Sequence, residues 1–126
     1  MPPIFARAIF TAASLVVFAA SPALASEFRY LRVGNNQDAT ALTPRAGFAL
    51  MGGGEDLDEA FRWLCDRTNG GDFLVLRATG TDDYNDYVQK LCHLNSVATL
   101  VIPTRAAAGD PQVAKIIAHA TALFIS

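Results

Sequence analysis

Phe73-Leu74-Val75-Leu76-Arg77-Ala78-Thr79-Gly80-Thr81-Asp82 is the stretch on which the fold turns. Four apolar residues in succession read as a strand covered on both faces, the mark of a parallel sheet packed between helices. The Thr-Gly-Thr-Asp run then breaks it as a loop. Downstream, Tyr84, Tyr87, Val88, Leu91 and Cys92 recur at i, i+3, i+4, i+7 and i+8, one face of a helix capped by Asp82 or Asp83. Val97-Ala98-Thr99-Leu100-Val101-Ile102 is the next core strand, ended by Pro103. Asp110-Pro111 is a helix start, with Val113, Ile116, Ile117 and Ala120 as the buried stripe, and Ala122-Leu123-Phe124-Ile125 is a further strand. Upstream, Leu57, Ala60, Phe61, Leu64 and Cys65 repeat the helical spacing. Asp56 and Glu59 form a capping pattern there, and Gly70-Gly71 stops the helix. Phe48-Ala49-Leu50-Met51 reads as a short buried strand running into Gly52-Gly53-Gly54. Phe28 to Val33 is aromatic and β-branched enough for a strand, and Gly34 to Arg45 is a polar loop.

This alternation predicts parallel βαβ units in an α/β three-layer sandwich, with a flavodoxin-like sheet whose core strands begin in the order 2-1-3. Composition agrees with a single domain. The chain has 126 residues, 52% hydrophobic and 17% charged. That suits one core and argues against a disordered tail, a collagen-like repeat or a coiled coil. A formal net charge of -2 argues against a nucleic-acid binder.

The first residues read as a targeting signal. Arg7 precedes an apolar run from Ala8 to Ala20, followed by Ser21-Pro22 and the cleavage pattern Ala23-Leu24-Ala25. The run is shorter than the roughly 20 residues that span a bilayer. Residues 1–25 are therefore expected to be a signal peptide, with a secreted or periplasmic product that keeps no membrane anchor. Residues 26–45 form an N-terminal strand and loop, and residues 46–126 the α/β part.

Parallel sheets bind ligands beyond the carboxyl ends of their strands, where helix N-termini present free N–H groups. Gly52-Gly53-Gly54, Ala78-Thr79-Gly80-Thr81 and Thr104-Arg105 fall at that edge. A dinucleotide fingerprint fails because Leu57 stands where its third glycine is needed, and no Gly-Lys-Ser/Thr follows for a phosphate loop. No cofactor is expected. Gly53 and Gly54 suit close backbone approach to a substrate, and Arg105 suits a carboxylate. None of Ser26, Ser96 and Ser126 lies in a Gly-x-Ser-x-Gly elbow, so no catalytic residue is assigned. His93 and His119 are scattered and make no metal set. Export permits a Cys65–Cys92 disulfide. The 2-1-3 order argues against it, because it puts the first two helices on opposite faces of the sheet, beyond the roughly 7 Å that a bridge allows between Cα atoms.

The run from Gly47 through Gly52-Gly53-Gly54-Glu55-Asp56-Leu57 to Trp63 resembles the start of the cyanophycinase-like serine peptidases. So do Gly71-Asp72-Phe73-Leu74-Val75-Leu76-Arg77-Ala78-Thr79-Gly80-Thr81-Asp82, Asn95 to Leu100, Arg105-Ala106-Ala107-Ala108, Asp110-Pro111 and Ala122 to Ile125. With Tyr30 to Asn35, the resemblance covers most of the chain after the signal. It implies a class I glutamine-amidotransferase-like fold and a hydrolase of peptide or isopeptide bonds beside acidic residues, with cyanophycin the typical peptide-like substrate. In that family the nucleophilic serine, histidine and acid lie further along the chain than the match extends, so none is carried over. Two functions are expected from different classes. One is the N-terminal part of an exported cyanophycinase-like hydrolase, inactive alone, its last strand lacking a covering helix. The other is a short secreted α/β module that binds without catalysing.

Overall fold

The computed structural model describes residues 27–126, so the signal-peptide assignment lies outside the described residues. The elements run β1 (Arg29–Gly34), α1 (Asp58–Thr68), β2 (Asp72–Arg77), α2 (Asp83–Leu91), β3 (Ser96–Val101), α3 (Arg105–Ala108), α4 (Pro111–His119) and β4 (Ala122–Ile125). They form an α/β fold around one four-stranded sheet of order β1-β3-β2-β4. β2 is parallel to both β3 and β4, and β1 is antiparallel to β3. The sheet is thus mixed, not wholly parallel. The expected strand at residues 28–33 is present as β1 and adds itself to the sheet as an antiparallel edge.

Each core strand buries both faces because its alternate side chains meet different helices. Phe73 and Val75 of β2 and Val97 of β3 join Phe61 and Cys65 of α1 and Val88 of α2. Leu74 of β2 and Ala98 and Leu100 of β3 pack on Val113 of α4. The step from β2 to β3 runs one way along the sheet and the step from β3 to β4 runs back across β2. Right-handed crossovers therefore place α2 and α4 on opposite faces.

Three expectations change. Phe48-Ala49-Leu50-Met51 is not a strand: Phe48 is 95% and Leu50 98% exposed. A 2-1-3 order would put this segment between residues 73–76 and 97–102, but β2 and β3 pair directly and leave no place there. The chain before it is held instead on α1, where the Arg45 amide donates to the Arg67 carbonyl at 2.8 Å and Arg67 Nη1 donates to the Ala46 carbonyl at 2.9 Å. Met51 alone reaches the core.

Cys65 and Cys92 are disulfide-bonded, with Cα atoms 6.1 Å apart. The argument against the bridge needed α1 to cross over from a strand within the sheet. Residues 48–51 form no such strand, and α1 lies beside α2 on the same face, where Phe61, Cys65, Val88 and Cys92 share one core.

The caps also differ. Leu57 is the N-cap of α1, makes no side-chain cap bond and is 58% exposed. Asp82 caps α2 without a side-chain bond. Asp110 does cap α4, accepting from the Gln112 amide at 2.7 Å with Pro111 at the first helical position. The short helix α3, capped by Thr104 Oγ1 accepting from the Ala107 amide, carried no hydrophobic period to reveal it.

Candidate functional site at the strand carboxyl edge

α1 turns into β2 through Asn69 and Gly70, both with left-handed φ (53° and 80°), and Gly71. So tight a turn folds the helix back along the strand. The N-terminus of α1, with the glycine loop before it, therefore lies at the carboxyl end of β2. α2 starts from the same edge, six residues beyond Arg77. Two tyrosines of α2 join these helix starts. The Tyr84 hydroxyl donates to Asp56 Oδ2 at 2.6 Å, and the Tyr87 hydroxyl donates to Asp58 Oδ1 at 2.5 Å. Asp56, expected to cap its own helix, is used between helices instead.

These bonds hold both phenols protonated. The Asp58 carboxylate, helped by burial, pushes Tyr87 up to about 12. Asp56 and burial raise Tyr84 as well, while Ser126 and Arg77 pull it the other way. The Arg77 guanidinium lies 5.4 Å from the Tyr84 ring centroid, donates to the Thr81 carbonyl at 3.0 Å and reaches Asp83 at 3.5 Å. Asp83 is held below the ordinary carboxylate value by the Thr81 hydroxyl first and Arg77 second. Gly80 has φ +100°, and a Cβ there would stand 2.8 Å from the Arg77 guanidinium, so only glycine closes this loop. Arg29 Nη2 clamps the loop from β1 by donating to the Gly80 carbonyl at 2.6 Å.

Gly53 and Gly54 are exposed on this edge, and a Cβ on either would meet nothing within 4 Å. Gly54 has φ +142°, which favours glycine. Arg105 opens α3 after β3, also on this edge. It is exposed and, among the described residues, its side chain has no ion-pair or hydrogen-bond partner. The structure thus places Gly53, Gly54 and Arg105 at one edge but joins them by no direct contact. It adds Asp56, Arg77 and Tyr84, which the sequence reading passed over. Asp56–Tyr84 is invisible to periodicity because it joins residues 28 apart in sequence.

Ser96 begins β3 at the opposite edge, is buried and donates to Asp72 Oδ1 at 2.5 Å. Among the described residues no three His, Cys, Asp or Glu side chains converge to hold a metal ion, and no helix is long and apolar enough to cross a membrane. Comparison of the chain with protein-family models, with characterised proteins and with solved structures returned no match.

Proposed function

We propose that this chain carries the substrate-binding part of an exported cyanophycinase-like serine hydrolase acting on peptide or isopeptide bonds beside acidic residues. The nucleophile that this chemistry needs is not among these residues. The observation that carries the reading is the gathering of the glycine loop, the Thr79–Thr81 loop and Arg105 at one strand-end edge, in the order the sequence resemblance requires. An α/β core with helices on both faces is compatible with the class I glutamine-amidotransferase-like fold, with β1 as an added antiparallel edge. Free N–H groups of the glycine loop at the start of α1 and the unpaired Arg105 suit the carboxylates of an acidic peptide. Arg77 and Tyr84 hold the loops in place.

The test is binding without turnover. The purified chain should bind an Asp-Arg dipeptide, and Arg105→Ala should weaken that binding about tenfold, the loss of one charge-assisted contact. Release of dipeptides from cyanophycin by this chain alone would contradict the placement of the nucleophile outside it. Saturable binding that is insensitive to Arg105→Ala would contradict the site.

A further inference from the structure

We infer that the groove between α4 and β1 binds a small carboxylate with a short apolar body. It lies on the sheet face away from the disulfide, and the inference is independent of the strand-end edge. α4 covers β2 and β3 through Val113, Leu74, Ala98 and Leu100, but β1 extends the sheet beyond the helix. The resulting cavity of about 210 Å³ is bounded by Tyr30 and Arg32 of β1 and by Gln112, Lys115 and His119 of α4. That volume is roughly seven water molecules, enough for a ligand of a few carbons and no more.

Most of the charged groups that line it are already spent on one another. Arg32 Nε donates to the Asn35 carbonyl at 2.7 Å. Its Nη1 donates to Asp38 at 2.6 Å and to the Tyr30 hydroxyl oxygen at 3.3 Å, and its Nη2 donates to the Gln37 carbonyl and Asp72, both at 3.1 Å. All five guanidinium N–H groups are thereby used. Asp38 is shared between Arg32 and His119 Nδ1 at 2.8 Å. Asp72 is occupied by Arg32, Asn95, Ser96 and the Ala39 amide.

What remains is a surplus of donors. Among the described residues the Lys115 ammonium and the Gln112 side-chain amide have no partner, and the Tyr30 hydroxyl accepts from Arg32 without donating. One cation and two neutral donors lining one cavity match the oxygens of one carboxylate. Ala98, Ile116 and Ala120 line the same cavity and give an apolar floor for a short carbon chain.

The test is a titration of the purified, ¹⁵N-labelled chain with sodium butyrate and, separately, sodium phosphate at constant ionic strength, followed by amide chemical shifts. Butyrate should move the amides of Tyr30, Ala98 and residues 112–120 saturably and leave residues 52–54 unmoved. Lys115→Met should weaken binding about tenfold, while Lys90→Met, exposed on α2 across the sheet, should leave it unchanged. Absence of saturable shifts, equal loss in both variants, or phosphate binding as tightly as butyrate would each overturn the assignment.

Discussion

Asp72 is the residue on which the amino-terminal end of the sheet is organised. It is 6% exposed, yet its carboxylate accepts from Arg32, Asn95, Ser96 and the Ala39 amide. It thereby ties the 35–39 loop and β1 to the starts of β2 and β3. Replacing it would take from Arg32, whose side chain is 12% exposed, one of its two carboxylate partners, and would leave the buried Ser96 hydroxyl and the part-buried Ala39 amide without their acceptor. Asp72→Ala should therefore lower unfolding stability by about 3 kcal/mol, measurable by urea titration. Tyr87 makes a second prediction at this scale. With its proton held up to about 12 against an ordinary 10.0, the folded chain keeps a proton that the unfolded chain has lost. The Tyr87–Asp58 bond thus contributes fully below pH 10, and its contribution falls as pH rises toward 12. Ultraviolet titration of phenolate should show a tyrosine step at about 12, and Asp58→Asn should move that step back toward the ordinary value. Asp38 behaves oppositely. Arg32 first and His119 second depress its value, so its contribution is present above the ordinary aspartate range and is lost as pH falls through the lowered one.

At the scale of elements, the Cys65–Cys92 bridge joins α1 to α2 across a sequence separation of 27. A loop of that length corresponds to about 3.5 kcal/mol of stabilisation through the unfolded chain. The Cys65→Ala, Cys92→Ala double variant should lose that much in a urea melt while keeping its far-ultraviolet dichroism. Whatever rested on local period was legible in the sequence. Phe73 to Leu76 and Val97 to Val101 announced buried strands because both of their faces meet helices. The stripes of α1, α2 and α4 showed in their spacing, and Asp110-Pro111 marked a helix start by chemistry that acts within two residues. What was not legible depended on which strands are neighbours. Phe48 to Met51 has the composition of a strand, but β2 already pairs with β3 and β4, and a strand is made by its partners as much as by its residues. The same misplaced strand produced the wrong face for α1 and, through it, the wrong reading of the cysteines. Asn85 shows the limit from another side. It is buried on α2, where it donates to the Leu31 carbonyl at 2.9 Å and accepts from Thr99 at 2.7 Å, and no pattern in its own helix signals that role.

At the scale of the whole molecule, the two ends of the sheet have different characters. The amino-terminal end is closed by the Asp72 network. The carboxyl end leaves an exposed glycine loop, an unpaired Arg105 and two helix starts joined by tyrosine–aspartate bonds. Arg105 was placed at this edge because it follows the end of a strand, whereas Gly53 and Gly54 were placed there from a strand at residues 48–51 that does not form, and they lie there through the start of α1 instead. The supporting Arg77, Tyr84 and Asp56 were not legible, because their roles arise between elements. The central claim is that this open edge receives an acidic peptide. Its most direct measurement is an amide chemical-shift titration of the purified chain with an Asp-Arg dipeptide. The account predicts saturable shifts at Gly53, Gly54 and Arg105, weakened about tenfold by Arg105→Ala. Shifts absent from all three residues, with the dipeptide at saturating concentration, would contradict it.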